Sequence, residues 1–145
     1  MRCFTRLVFA VVFAIGHPAQ AQSSGSASAA VAAAQTVAKT WLALVDSGAY
    51  GASWDSAATY FRGAITKPAW ESAIRQVRRP LGTFGGRRLL GASYQTKLPN
   101  APPGEYVVLQ YRVTSAGGKR VVETVTPMKD RDSIWRVSGY YVRPE

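Results

Sequence analysis

The chain has 145 residues, 47 % of them hydrophobic, with 18 Lys and Arg against 8 Asp and Glu and a formal net charge of +10. That length bounds it to one domain. Its single cysteine, Cys3, and single histidine, His17, both lie in an N-terminal stretch that reads as an export signal.

Arg2 and Arg6 make a positive start, Leu7 to Ile15 is unbroken apolar sequence, and His17 and Pro18 end it. Ala19-Gln20-Ala21 then offers the small-x-small pattern of a cleavage site, predicting a cut after Ala21. The apolar run is well short of the ~20 residues a spanning helix needs, so no transmembrane segment is expected after cleavage. The protein is therefore expected in a periplasm or outside the cell. A mature chain starting at Gln22 holds neither cysteine nor histidine. That excludes a disulfide, a thiol nucleophile, a Ser-His-Asp triad and nearly every zinc or copper site, so no metal and no cofactor is expected. Loss of Arg2 and Arg6 lowers the basic count from 18 to 16 against 8 acidic residues. In an exported chain this excess favours anionic envelope surfaces or small anionic ligands over nucleic acid.

Residues 22–30 are small and aperiodic and predict a flexible linker; residues 31–145 form the domain. Val31, Ala34, Ala38, Trp41, Leu42 and Val45 recur at helical spacing. Asp46-Ser47-Gly48 closes this first helix, with glycine suited to the left-handed position beyond a helix end. Tyr50, Trp54, Ala57, Ala58 and Phe61 mark one face of a second, short helix ending at Gly63. A third opens at Thr66, an N-cap residue type, with Pro68 in its first turn. Trp70, Ala73, Ile74, Val77 and Leu81 form its expected buried face. Glu71, Arg75, Arg78 and Arg79 fall on the solvated one, and Pro80 ends it.

From Phe84 the period becomes two. Leu90, Ala92, Tyr94, Thr96 and Leu98 alternate with polar residues in a half-buried strand, after turn glycines Gly82, Gly85 and Gly86 that lack the Lys-Ser/Thr of a phosphate loop. Pro99 to Gly104 is a loop. Tyr106 to Thr114 puts Val107, Leu109, Tyr111 and Val113 on one face. Gly117-Gly118 makes a hairpin turn, and a third strand runs from Arg120 to about Met128, with Pro127 near an end or edge. After a turn at Asp130 to Ser133, Ile134 to Val142 alternates Trp135, Val137, Gly139 and Tyr141 against Arg136, Ser138, Tyr140 and Val142. Three helices followed by a four-stranded antiparallel meander is an α+β pattern.

Several strings are specific enough to carry a resemblance. Trp41-Leu42-Ala43-Leu44-Val45-Asp46-Ser47-Gly48, Tyr50-Gly51-Ala52-Ser53-Trp54-Asp55, Pro80-Leu81-Gly82, Gly104 to Tyr111, Glu123 to Thr126 and Trp135 to Tyr140 resemble, in order, domain of unknown function 4019. The resemblance implies a small exported bacterial protein with a cystatin-like or nuclear-transport-factor-like cone, whose curved sheet wraps the helices and can leave a pocket. It implies no established activity and no catalytic residue. Pro68 departs from the Glu or Gln expected there.

Three constellations bear on chemistry. Asp55 beside Trp54, with Tyr60, Tyr94, Tyr111 and Tyr140 to supply hydroxyls, would be the general base of a histidine-free isomerase or dehydratase; the alternative is an exposed carboxylate and core tyrosines. Arg112 and Glu123 on adjacent strands would make a cross-strand ion pair or, turned into a cavity, hold an anion. Arg75, Arg78, Arg79, Arg87 and Arg88 would make a basic patch for anionic envelope components. The tryptophans read as core. The leading expectation is a non-enzymatic binder of a small ligand or envelope partner through the sheet–helix concavity, involving Trp54, Asp55, Tyr60, Tyr111, Arg112 and Glu123. A homodimer through an outer sheet patch of Tyr106, Val108 and Tyr140 is a further expectation.

Overall fold

The structure, a computed structural model, describes residues 19–145, with side chains from residue 24; the predicted export segment up to Pro18 lies outside the described residues. Four helices precede four strands: α1 (Ala19–Asp46), α2 (Tyr50–Asp55), α3 (Thr59–Ala64), α4 (Lys67–Arg78), β1 (Phe84–Gln95), β2 (Tyr106–Ser115), β3 (Arg120–Lys129) and β4 (Trp135–Pro144). The strands form one antiparallel meander in the order β1-β2-β3-β4. The helices pack on one face of it, so the α+β cone is the observed architecture.

Residues 22–30, expected as a linker, are continuous helix within α1, and the alanine at position 30 is already buried. The stretch holds three alanines against four serines and a glycine, and it extends the helix of the alanine-rich run at 29–34, alanine being the strongest helix former. Ala34, Ala38, Trp41, Leu42 and Val45 are buried as their spacing predicts. The helix ends at Gly48 with φ +78°; Gly48 N–H donates to the Val45 carbonyl and Ala49 N–H to that of Leu44, the paired bonds of a Schellman end. Residues Ser24–Asp46 are long and apolar enough to cross a membrane by composition alone. An apolar helix near an N-terminus is compatible with an export sequence, but the buried face of this one belongs to the domain core.

The expected second helix is two helices. Ala58 sits extended between α2 and α3, its N–H donating to the Val137 carbonyl of β4. Asp130, in the β3–β4 turn, caps α3 by accepting from Thr59 N–H at 2.8 Å and Thr59 Oγ1 at 3.0 Å. Thr66 occupies the N-cap position of α4 but makes no side-chain cap bond. The buried stripe of α4 is Trp70, Ile74 and Arg78; Ala73 and Val77 face outward. The stripe follows strict four-residue spacing, and its third position is an arginine.

The core joins Trp41, Trp70 and Phe61 to Val107, Leu109, Val125 and Val137. Trp41 and Trp70 lie 5.7 Å apart, Phe61 meets Trp70 edge-on at 5.0 Å, and Tyr140 closes the group 5.4 Å from Trp41. These are the offset and edge-to-face geometries aromatic rings prefer. The indole N–H groups of Trp41 and Trp70 both end on Ser53, one on its carbonyl and one on its hydroxyl.

The register of the sheet slips between Phe84 and Arg87, between Leu89 and Gly91 and between Thr126 and Pro127, and the last two slips decide which side chains face the helices. In β1 the register slips between Leu89 and Gly91, leaving Leu90 as the extra residue, so Arg87, Leu89, Ala92 and Tyr94 share the helix-facing register with Val113, Tyr111, Leu109 and Val107. Most of β1 is exposed, not half-buried as expected. In β4 Thr126 pairs with Gly139 and Pro127 with Val137. The extra residue flips the parity of everything beyond it. Tyr140 and Val142 therefore face inward and Tyr141 outward, the reverse of an unbroken alternation from Trp135. Pro127 lies at this bulge on an inner strand, where its missing N–H is tolerated. Gly85 and Gly86, expected in a turn, lie within β1, while Gly82 (φ +70°) makes the turn.

Candidate functional site

The two bulges aim Arg87 and Tyr140 at the end of the helix layer, where α1 and α4 both terminate. There they meet Asp46, the last residue of α1, Arg78, the last of α4, and Glu123 from the middle of β3. Glu123 is fully buried and Arg78 6 % exposed. Glu123 Oε1 accepts from Arg78 Nη1 at 3.3 Å, Arg87 Nη2 at 3.2 Å and the Tyr140 hydroxyl at 2.7 Å, while Arg87 Nε donates to Oε2. Asp46 accepts from both forks of Arg87, at 2.6 and 2.8 Å, and from Arg78 Nη2. Arg78 Nη1 also lies 3.2 Å from the Tyr140 hydroxyl, and its guanidinium sits 3.7 Å over the Phe84 ring. Two carboxylates and two guanidiniums thus alternate in a closed, neutral ring.

The ring sets its own ionisation. Burial works against the charge of Asp46, but hydrogen bonds from Arg87 and Arg78 outweigh it and hold the carboxyl below its ordinary value. Burial likewise opposes the charge of Arg87, and its bonds to Asp46 and Glu123 overcome that. Tyr140 is held well above the phenol range by burial and by its bond to Glu123. Every described buried side-chain polar atom has a partner. The ring is a charged plug with no free acid or base.

Beside it lies a groove of about 530 Å³ between α1 and the edge strand β1. Leu42, Ala43, Leu89 and Tyr111 give it an apolar lining, Gly85 and Gly86 admit it close to the β1 backbone, and Gln35 and Lys39 supply polar atoms. Asp46 and Arg87 of the ring form one end. A second cavity of about 660 Å³ lies between α3, the 102–104 loop and the β3–β4 turn, lined by Tyr60, Met128 and Arg131 among others.

The residues singled out from sequence do not converge. Asp55 is exposed and paired with Lys67 at 2.6 Å. Trp54 packs half-buried on the core and donates to the Ile65 carbonyl at 2.8 Å. The Tyr60 hydroxyl donates to the Asn100 carbonyl, and that of Tyr94 to Glu105. Tyr111 lines the groove. Arg112 and Glu123 are not a pair: Glu123 lies opposite Tyr111 and Arg112 opposite Val122, on opposite faces of the sheet, and Arg112 bonds Glu145 instead. The five-arginine patch is divided, because Arg78 and Arg87 are in the ring while Arg75, Arg79 and Arg88 are exposed. The outer apolar patch is not formed either. Tyr106 is fully buried with its hydroxyl on the Pro102 carbonyl, and Tyr140 faces inward.

Sequence reasoning joined Arg78 and Arg87 only as members of a basic patch and linked neither to Asp46, Glu123 or Tyr140. The one local signal was the position of Arg78, eight residues after Trp70 and four after Ile74, on the apolar stripe. Among the described residues no cluster of His, Cys, Asp and Glu could hold a metal ion. No curated protein and no solved structure matches the chain. A family described as "Protein of unknown function (DUF4019)" matches residues 37–140, most of the folded part, and the chain belongs to that family.

Proposed function

We propose that the chain is an exported, non-enzymatic binding module whose ligand is a small amphipathic molecule held in the α1–β1 groove. The observation that carries this reading is the groove itself: about 530 Å³ with an apolar lining and, at its polar side, Lys39, which has no ion pair among the described residues. Its volume and chemistry match those of small-molecule sites, which are mostly apolar with a few placed polar groups. The apolar body would lie on Leu42, Leu89 and Tyr111, and an anionic or hydroxyl head would face Lys39. The export pattern of residues 1–21 supports an envelope or extracellular setting. Against an Asp55-centred isomerase stands the exposed Asp55–Lys67 pair, far from the apolar enclosure that raises a carboxylate's basicity. Glu123, the buried carboxylate, has both oxygens occupied.

The test uses native mass spectrometry on protein exported to a periplasm and purified gently. A bound adduct of fixed mass is expected on the natural chain. It should be absent from Ala43→Trp, which fills the groove from an exposed α1 position and should leave the melting temperature within a few degrees. A clean unliganded mass for the natural chain, or an adduct that survives Ala43→Trp, overturns the assignment to this groove.

A further inference from the structure

The outer face of the sheet carries a second recognition surface that the groove does not involve. The pairing register runs Arg88 opposite Arg112, Arg112 opposite Val122, and Val122 opposite Arg143. These four residues form one straight row across all four strands, on the face away from the helices. Arg88 and Arg112 are direct cross-strand neighbours, with Cα atoms about 5 Å apart. Arg143 stands two strands beyond Arg112, roughly 10 Å away at normal strand spacing. Like charges placed directly opposite destabilise a sheet. One carboxylate, Glu145, reaches this row, and it is shared between Arg112 and Arg120. Arg88 and Arg143 are exposed and have no ion pair among the described residues. Val122 is 2 % exposed although it lies on the outer face, a cover that flanking arginine stems can supply.

The adjacent row is of a different kind. Gln110 lies opposite Thr124, and Thr124 opposite Tyr141, two residues along each strand and so about 7 Å from the arginines. Tyr141 is 63 % exposed, the most exposed of the large apolar side chains among the described residues. The β4 bulge is what turns it outward. An exposed aromatic ring offers a flat apolar face with a wet hydroxyl tip, and an amide and a hydroxyl stand in line with it. Guanidinium forks suit carboxylate or phosphate.

The geometry points to an acidic polysaccharide as the partner of this face. Its carboxylates or phosphates would lie along Arg88, Arg112 and Arg143, and a sugar ring would lie on Tyr141 beside Thr124 and Gln110. A linear acidic saccharide repeats its charge along one direction, as the row does. A lipid surface would use the charges but has no need of the aromatic and amide row.

The experiment measures binding of the full chain to polygalacturonate, neutral dextran and phosphatidylglycerol vesicles at about 20 and 300 mM salt, where screening lengths differ severalfold. Polygalacturonate is expected to bind and dextran not to, with affinity falling as salt rises. Arg88→Gln combined with Arg143→Gln should lose about tenfold or more and flatten the salt dependence. Arg79→Gln with Arg131→Gln removes the same charge away from this face and should lose less than about threefold, which separates a site from net charge. Tyr141→Ala, with charge unchanged, should lose about threefold to tenfold at the higher salt. Melting curves establish that each variant is folded. No binding to polygalacturonate, or equal losses in the two arginine pairs, overturns the proposal. So does vesicle binding as tight as polysaccharide binding with Tyr141→Ala without effect, which would make the face a lipid-adsorbing one. Ala43→Trp leaves this binding intact, so its outcome is independent of the groove.

Discussion

Arg87 and Arg88 are adjacent in sequence and live in opposite worlds. Arg87 points under the sheet, where Asp46 and Glu123 occupy its donors; Arg88 points out, opposite another arginine, with no carboxylate of its own. The same side chain is structural on one face and available on the other. What separates them is the supply of acid. Among the described residues every carboxylate side chain but that of Glu71 is already in an ion pair. The interior takes its charges in matched pairs, because a buried charge without a partner costs several kcal/mol. The surplus of positive charge is therefore left on the surface.

The comparison breaks most violently at Glu123. Glu123→Ala leaves Arg78 and much of Arg87 buried beside half their counter-charge, and should cost about 3–5 kcal/mol in denaturant unfolding. Arg87→Gln strips both carboxylates of a guanidinium and belongs in the same range. If either variant unfolds at the natural midpoint, the ring is not a buried plug and the contrast with the outer face collapses.

Asp46 comes next, because its side chain is 31 % exposed and water can replace part of what is lost. Asp46→Asn should cost about 1–3 kcal/mol near neutral pH, the range for losing hydrogen bonds to a charged group. It also has a pH signature. The folded carboxyl titrates below the ordinary 3.8 of an unfolded aspartate. The unfolded chain therefore takes up its proton first as the solution is acidified. The stabilisation is fully present above that value and is lost as pH falls through the lower, folded one. Melting temperature against pH should thus drop below about pH 4 in the natural chain and fall less steeply in Asp46→Asn. Asp130, held low where burial is outweighed by the Thr59 and Arg131 backbone N–H groups, accounts for acid sensitivity that persists in that variant.

Tyr140→Phe removes one hydroxyl, and with it the bond donated to Glu123 and the one accepted from Arg78. The ring stays against Trp41 and Trp70, while Glu123 Oε1 loses its hydroxyl donor and keeps two arginine contacts. A cost of about 1–2 kcal/mol is expected. A larger one would mean that the hydroxyl organises the arginines and does not merely top up the acceptor.

How far this arrangement could be read from the sequence follows from its geometry. Helices and strands were legible because their apolar periods run unbroken: Trp41, Leu42 and Val45 on α1, Val107, Leu109 and Val113 on β2. The ring was not, because each member depends on an event that periodicity carries no trace of. One extra residue in β4 reverses inside and outside, which turned Tyr140 from an expected surface residue into a core one. Glu123 looked like the partner of Arg112 since both sit mid-strand, but a one-place register difference puts them on opposite faces. Arg78 sat on the apolar stripe of α4, and a charged residue there was assigned to water; a buried guanidinium needs carboxylates from α1 and β3, which are distant in sequence. Asp55 stands out in the sequence by its tryptophan neighbour, Trp54. Its actual partner, Lys67, lies on the next helix but one, and the pair is solvent-exposed. Asp55→Asn should therefore shift stability by less than about 1 kcal/mol, and a larger loss would show that the pair anchors α4.

The smallest expected effect is the most diagnostic. Arg88→Gln removes a charge that no carboxylate balances and that faces Arg112 directly across the β1–β2 ladder. Exposed substitutions of this kind fall within about 0.5 kcal/mol, and relief of the opposed charges gives the sign: unchanged or slightly stabilised. Placed beside Arg87→Gln, the experiment compares neighbouring arginines in one strand, identical in chemistry and opposite in face. A clear loss at Arg88 would mean that the outer row is already satisfied within the fold, and its claim to an external anion would go with it. A neutral or stabilising change at Arg88 that also weakens polyanion binding is the pattern of a residue whose partner lies outside the chain.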